Sequence, residues 1–557
     1  MSDLQWWRGA VIYQVYPRSM MDTNGDGIGD IPGIVEKLDY IAELGVDAIW
    51  VSPFFKSPMK DFGYDISDYR DIDPIFGALS DFDQLIEQAH ARNIKVIIDQ
   101  VLSHTSDQHH WFTESRQDKH NDKADWYVWA DAKDDGTQPN NWLSIFGGPA
   151  WKWEPRRKQY YLHNFLSSQP DLNFHNPDVQ QAALENIEFW LKRGVDGFRL
   201  DAINFCFHDK QLRDNPAKAE ADRTGRGFSE DNPYAFQYHY YNNTQPENIK
   251  FIEQIRALLD RYPGSVALGE ISSEDSLATM AEYTSGNNRL HMGYSFELLT
   301  NDYSAHYIRH TVETLEQKMT EGWPCWAISN HDVTRVVSRW AQSAKHQGIT
   351  DQKSKMFTAL LGSLKGSVCS YQGEELGLPE AEIEYHELQD PYGITFWPNF
   401  KGRDGCRTPL PWNNTQNAAG FSQSKPWLPV ADAHLALNVE QQSSNSNSVL
   451  NAYRQFLNWR KQQDALINGD ISFFDTAEPI LAFLRKSEAQ TLVILFNLSE
   501  QPQKINLSET IDSKKLTSDV SLNHLQAFDL PFIETAKLTD DHCHLPGFGC
   551  FFAELGH

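Results

Sequence analysis

The chain has 557 residues, 40% hydrophobic and 12% aromatic, enough for a large core and more than one domain. Acids outnumber bases 76 to 49, a formal net charge of −27, which argues against a nucleic-acid partner because a phosphate backbone calls for clustered Lys and Arg. The six cysteines are scattered without metal-ligand spacing, so buried free thiols are expected rather than a disulfide framework.

The N-terminus, Met1 to Arg8, has no basic region followed by an apolar one, and no apolar stretch is long enough to cross a bilayer. A cytoplasmic location without a membrane partner is the expectation. Ala10–Val15 reads as the first strand, followed by an acidic, Gly-rich loop. A helix over Ile34–Leu44 leads to a strand at Asp47–Val51, and a helix over Asp81–Arg92 to a strand at Lys95–Val101. Residues 103–175, rich in Trp, Asp and Pro, are too long for a connection and read as a small inserted domain. A helix over Asp178–Lys192 precedes the strand Gly197–Leu200; a long loop (204–245) and a helix over Ile249–Arg261 precede Val266–Gly269. Met292–Phe296, Cys325–Ser329, a helix over Lys353–Leu364 and Val368–Tyr371 complete the pattern. Eight strands alternating with helices predict an α/β fold of the closed (β/α)8 TIM-barrel type. Long loops at 376–440 would lie over the barrel mouth, and the Ser/Asn/Gln stretch Gln441–Ser448 reads as a flexible surface segment. After a helix over Val449–Gln463, alternating runs at Ile471–Phe474, Ile480–Leu484, Leu492–Asn497 and Cys550–Ala553 predict a C-terminal antiparallel β-domain. The domain map is a barrel of 1–102 and 176–468, the insert at 103–175, and the β-domain at 469–557.

The strand Gly197–Leu200 places Arg199 and Asp201 at spacing i, i+2, on one face. Two readings are open: a paired core ion bridge, or a nucleophilic carboxylate whose charge the guanidinium holds. The other strand ends are also polar, with Asp99 and His104 after the third, Glu270 at the fifth, and Asn330, His331 and Asp332 after the seventh. Four polar strand ends at one rim of a barrel form the pattern of an active site. In the loop after the first strand, Asp22, Asn24, Asp26, the Ile28 carbonyl and Asp30 fall at positions 1, 3, 5, 7 and 9 of a calcium loop. Gly27 stands at the sharp turn, but Gly33 replaces the closing Glu of an EF-hand and no helix precedes it. One structural divalent cation is expected there, calcium ahead of magnesium, against the alternative of a metal-free acidic turn.

Seven motifs occur in one order: Gly63-Tyr64-Asp65-Ile66-Ser67-Asp68-Tyr69, Asp99 to His104, Gln169 to Asn173, Gly197 to Asp201, Gly269-Glu270, Ser329 to Asp332, and Gly402 to Pro409. On these the chain resembles the α-glucosidases of glycoside hydrolase family 13, the α-amylase superfamily, nearest its oligo-1,6-glucosidase and bacterial α-glucosidase branch. The resemblance implies Asp201 as nucleophile, Glu270 as general acid/base and Asp332 as stabiliser of the distorted sugar. It implies Tyr64 as the ring under the terminal glucose, Asp65 and Arg407 as the pair that closes the pocket, and His104 and His331 as donors to sugar hydroxyls. Phe146, Phe165 and Gln169 would line the pocket wall, with Arg199 beside the nucleophile. The implied activity is retaining, exo-acting hydrolysis of short α-glucosides such as maltose or isomaltose, a small oligosaccharide or glucoside being the partner. The alternative is a transglucosylase or a sucrose- or trehalose-type isomerase on the same scaffold. Ser103 stands where many relatives carry the Asn that binds a calcium at the domain boundary, so no second site is expected. After the nucleophile comes Ala202, where the branch tends to carry Val with α-1,6 and Thr with α-1,4 links.

Overall fold

Eight parallel strands form the centre of the computed structural model, which describes residues 3–223, 231–340, 347–510, 525–539 and 542–556. Parts of the predicted barrel (1–2, 341–346), of the 204–245 loop (224–230) and of the C-terminal domain (511–524, 540–541, 557) lie outside the described residues. The strands are β1 (Val11–Val15), β2 (Ala48–Val51), β3 (Lys95–Val101), β4 (Gly197–Asp201), β5 (Val266–Ile271), β6 (Met292–Ser295), β7 (Cys325–Ala327) and β8 (Ser367–Tyr371). They pair in chain order from β1 to β6, and β8 pairs with both β1 and β7. A parallel bridge between Gly293 and Pro324 joins β6 to the approach of β7 and closes the ring.

Period-two alternation explains how one ring is both core and site. The inward positions near the strand starts are apolar, with Ile12, Ala48, Ile97, Leu268, Met292, Cys325 and Cys369 in one buried cluster. Two residues on, the same inward rows carry Trp50, Asp99, Arg199, Glu270 and Tyr294. Register sets Asp99 beside Arg199, Val101 beside Asp201, and Glu270 beside Tyr294. The packed lower layers thus hold a ring of ionisable groups at the C-terminal rim. The helix before β4, Pro177–Lys192, starts with Asn176 accepting from the Asp178 N–H and a Pro in its first turn, and turns out at Gly194 with φ 94°.

Within the insert, Trp129–Ala130, Trp151–Glu154 and Gln159–Leu162 form a small antiparallel sheet that follows β3. Beyond the barrel, a five-stranded sheet orders Asp470–Phe473, Ile480–Lys486, Thr491–Asn497, Cys550–Leu555 and Leu525–Ala527. Buried arginines stand at its junction with the barrel base: Arg485 of the sheet reaches into the barrel, and Arg460 braces the barrel side. Arg485 donates to the carbonyls of Ser363, Leu364, Leu466 and Gly469, and Arg460 to those of Gly362 and Gly9. All six cysteines are free and buried, and among the described residues no helix is long and apolar enough to cross a membrane.

Besides shifted ends elsewhere, such as the helix Gln347–Ser363 and the strand Cys325–Ala327, three differences from the sequence reading stand out. The first helix splits into Ile31–Glu36 and Leu38–Glu43, because Lys37 leaves the helical region at φ −100°, ψ 6°. β5 runs to Ile271, which puts Glu270 inside the ladder rather than at its close. Gln441–Ser448 is ordered: Val439–Ser444 is a helix capped by Asn438, and the buried Gln442 amide donates to the carbonyls of Leu376 and Leu437. Polar composition predicts a loose surface, but these side chains serve as caps and backbone partners.

Candidate active site

Arg199 is fully buried and stands under the site, its guanidinium 4.7 Å from the Trp50 ring centroid. Its Nη1 pairs with Asp99 Oδ1 at 2.8 Å and Asp201 Oδ1 at 2.5 Å, and its Nη2 with Glu270 Oε1 at 2.5 Å. One cation therefore serves three buried carboxylates. The pair on β4 is not an isolated core bridge, since it sits at the floor of a cavity. That cavity is lined by Asp201, Glu270 and Asp332, by Asp61, Tyr64, His104, Ala202, Ser272 and Arg403, and by Ile145, Phe146, Phe165, Phe205, Phe296 and Tyr392. It is concave and largely apolar, with convergent charged groups, as small-molecule sites are.

Burial pushes the Glu270 carboxyl up to about 7; Arg199 works against this, while the charges of Asp201 and Asp332 reinforce it. Burial likewise pushes Asp201 up to about 7 and Asp99 to about 6, opposed in both by Arg199. These groups titrate together, and a single guanidinium among them keeps the set partly protonated near neutrality. Asp332 is the opposite case. Burial would raise it, but the charges around it, from His331, Arg403, Arg407 and Arg199, outweigh burial and hold it well below the usual carboxylate range. His331 is itself kept neutral by burial, so the guanidiniums carry the effect. Arg403 Nη1 and Arg407 Nη2 meet Asp332 Oδ1 at 3.1 and 3.0 Å. The site thus holds one fixed anion opposite a pair of groups poised to exchange a proton.

The aromatic and polar walls are interlocked. The Tyr64 ring stacks on His331 (5.3 Å, 7°), and its hydroxyl reaches Asp99 Oδ2 at 3.0 Å and His331 Nε2 at 2.5 Å. His331 Nδ1 meets the Gln14 amide at 2.7 Å, so both ring nitrogens are engaged behind the wall. The Tyr64 carbonyl accepts from His104 Nε2 at 3.0 Å, which puts the ring proton on Nε2 and leaves Nδ1 to accept from the Ser103 hydroxyl at 3.0 Å. Gln169 Nε2 donates to Asp61 Oδ2 at 3.0 Å and lies beside the His104 ring. Ala202, directly after Asp201, has φ 40°, a left-handed conformation that disfavours β-branched residues.

The structure brings most of the expected residues together. Asp201, Glu270, Asp332, Tyr64, His104, Phe146 and Phe165 face the cavity, while Arg199, His331, Gln169 and Arg407 stand immediately behind it. The Asp65–Arg407 pair is corrected. Asp65 is fully buried and accepts from the Ser57 hydroxyl and from the N–H groups of Lys60 and Asp61, so its carboxylate organises the 57–61 turn. The closing pair is Asp61 with Arg403 (2.8 Å), and Arg403 also pairs with Asp390 at 2.9 Å and lies over the Phe146 ring at 5.2 Å. Arg407 still contacts Asp332 and donates to the His331 carbonyl at 2.7 Å. Sequence reasoning also missed Trp50, Tyr294, Phe205, Phe296 and Tyr392. The inward period of β2 and β6 could have singled out Trp50 and Tyr294, and two residues further on the same row it reaches Phe296; Phe205 and Tyr392 sit in the short helical turns Ile203–Phe205 and Pro391–Phe396, inside long connections.

In the loop after β1, Asp22, Asn24 and Asp26 each accept backbone N–H groups from the loop itself, Asp22 also accepting from the Ser422 hydroxyl, while Asn24 and Asp26 remain exposed. The donor set is all oxygen, the chemistry that fits a hard divalent cation. Asp30 is already engaged by Thr23 and by Gly33, whose helix it caps, and among the described residues no three His, Cys, Asp or Glu side chains cluster as a metal group. A cation there would rest on Asp22, Asn24, Asp26 and the Ile28 carbonyl, with Asp30 as the outer support of the loop.

Comparison with known proteins agrees with this geometry. The family model described as the catalytic domain of alpha amylase matches residues 14–469. The chain is 52% identical over 558 residues to a probable alpha-glucosidase of Rhizobium meliloti (strain 1021), covering 99% of this chain and 98% of that one. It is 35% identical over 538 residues to the oligo-1,6-glucosidase of Parageobacillus thermoglucosidasius, covering 91% and 92%. Among solved structures, the α-glucosyl transfer enzyme XgtA superposes with a TM-score of 0.94 at 62% identity, covering 99% of each chain.

Proposed function

Since the chain belongs to the α-amylase family of glycoside hydrolases, we propose that it is a retaining, exo-acting α-glucosidase that releases glucose from the non-reducing end of short α-glucosides. The observation that carries this reading is the pairing of Asp201 and Glu270 with neighbouring nitrogens of one guanidinium. That arrangement favours the ~5–5.5 Å carboxyl separation of retaining enzymes over the wider gap of inverting ones. Asp201 attacks the anomeric carbon as the glycosidic C–O bond breaks, and the Glu270 proton passes to the leaving oxygen. Water then attacks the glucosyl–Asp201 ester, giving its proton to Glu270 and freeing the Asp201 carboxylate. Asp332, anionic throughout, offsets the positive charge that develops on the sugar. Tyr64 offers its ring to the C–H face of the glucose, and the Asp61–Arg403 pair blocks the cavity beyond it, which supports attack at a chain end.

A second reading, glucosyl transfer to an acceptor hydroxyl, is favoured by the 62% identity to an α-glucosyl transfer enzyme. It uses the same three carboxylates and replaces the water of the second step. The loop after β1 takes one structural divalent cation in this reading, remote from the chemistry, and six reduced, buried thiols support a cytoplasmic setting. A panel of maltose, isomaltose, panose, sucrose and soluble starch, followed by NMR of the first anomer released, tests the assignment. Short substrates cut with release of α-glucose, and little action on starch, are expected; initial β-glucose would refute retention. Transfer products at high substrate concentration would select the second reading. Ala202→Val tests linkage: the maltose-to-isomaltose ratio should fall, and an unchanged ratio would separate Ala202 from specificity.

A further inference from the structure

We propose that Tyr294 is a positioning residue for Glu270: its hydroxyl holds Oε1 as a hydrogen-bond acceptor, so that the transferable proton is carried on Oε2. The inference rests on Glu270 being the acid/base and adds to it which oxygen does the work. Tyr294 lies on β6, 1% exposed, in register with Glu270 on β5. Its Oη lies 2.8 Å from Glu270 Oε1. Arg199 reaches the same Oη with Nε at 3.2 Å and Nη2 at 2.9 Å. A guanidinium only donates, so Arg199 occupies the acceptor side of the hydroxyl and the single Tyr294 hydrogen is directed at Glu270.

Oε1 therefore receives two donors, Tyr294 Oη and, at 2.5 Å, Arg199 Nη2. An oxygen so occupied has little room for a proton of its own. Oε2 is different: among the described residues its one partner is the Ala202 N–H at 3.1 Å, and Ala202 lines the cavity next to Asp201. The proton leaves Oε2 for the departing oxygen, and the incoming water or acceptor hydroxyl returns a proton to the same atom. Tyr294 keeps its own proton throughout, because burial pushes its hydroxyl well above the ordinary tyrosine value. An ordinary core tyrosine would also pack on Trp50, as this ring does at 6.2 Å. Packing alone, however, does not require the hydroxyl to be shared between Arg199 and Glu270.

Tyr294→Phe removes the hydroxyl and keeps the ring, and the pH dependence of kcat/KM is the readout. Tyr294 favours the ionised form of Glu270, so its loss should move the alkaline limb upward by about one pH unit, the scale of one hydrogen bond to a charged group. Removal of the proton from water in the second step should slow, so kcat near pH 6 should fall about ten-fold. With p-nitrophenyl α-glucoside, whose leaving group needs little protonation, a burst of nitrophenol should appear as the second step becomes limiting. A lowered Tm with the limb and the burst unchanged from wild type would overturn the inference and leave Tyr294 a packing residue. Glu270→Gln assayed in parallel separates the two assignments. If it abolishes the limb while Tyr294→Phe leaves it in place, only the Tyr294 inference fails; if it keeps wild-type turnover and limb, the acid/base assignment fails with it.

Discussion

Glu270→Gln should stabilise the protein at neutral and alkaline pH and do nothing for it in acid. Burial raises this carboxyl from 4.5 to about 7 in the folded chain. At about 1.4 kcal/mol per pH unit, ionising Glu270 in place is harder by about 3 kcal/mol than ionising it in the unfolded chain. The unfolded chain gives up this proton near pH 4.5 while the folded one holds it to about 7. The group's contribution is therefore fully present below pH 4.5, declines as pH climbs to about 7, and is flat above. Gln cannot ionise and escapes that slope, while its carbonyl still accepts from Arg199 and Tyr294. An unfolding entropy of roughly 2.1 cal/mol/K per residue makes 3 kcal/mol worth about 2–3 °C in a chain of this length. Differential scanning calorimetry of both proteins from pH 4 to 8.5, at one scan rate, should show Tm curves that coincide at the acid end and part by that amount above pH 7. A gap that is constant with pH, or widest in acid, would refute the account of Glu270 as a carboxyl strained by burial.

Asp61→Asn should raise KM for maltose about ten-fold or more with Tm little changed, because a charged partner of the sugar hydroxyls and of Arg403 is lost. Asp65→Ala should do the reverse, lowering Tm with KM nearly unchanged, because the acceptor of three hydrogen bonds is removed and the donors of Ser57, Lys60 and Asp61 are left unpaired; steady-state kinetics and calorimetry together distinguish the two. Asp201→Asn should abolish turnover of maltose by about 10³-fold or more, and retained turnover would remove the nucleophile assignment. Chelation with excess EDTA should lower Tm more than it lowers kcat, and calcium should restore it; equal losses of both would move the ion from the loop to the chemistry.

The barrel was legible because its strands are short apolar runs between helical periods, and the acids at their ends stand out against that background. Asp99, Arg199, Asp201 and Glu270 were visible from strand position alone, since a charge on an inward row of a buried strand conflicts with its surroundings. The pocket wall was less legible. Asp61 and Asp65 are four residues apart in one turn, and only the folded turn shows that three donors claim Asp65 and leave Asp61 to face Arg403. Phe205 and Tyr392 belong to short helical turns within long connections, whose placement depends on long-range packing. The Gln441–Ser448 stretch misled for a related reason: amide and hydroxyl side chains look the same in composition whether they meet water or a neighbouring carbonyl.

Arg485 bears on how the molecule comes apart. Its guanidinium, carried on the terminal sheet, is planted among the main-chain oxygens of Ser363, Leu364, Leu466 and Gly469, the first two at the end of a barrel helix. Prising the terminal sheet away would strand one buried cation and the four carbonyls it serves, so the sheet is a keystone of the barrel rather than a detachable module. Melting should accordingly pass through one cooperative step, and a truncation before Asp470 should yield insoluble chain instead of a smaller working enzyme.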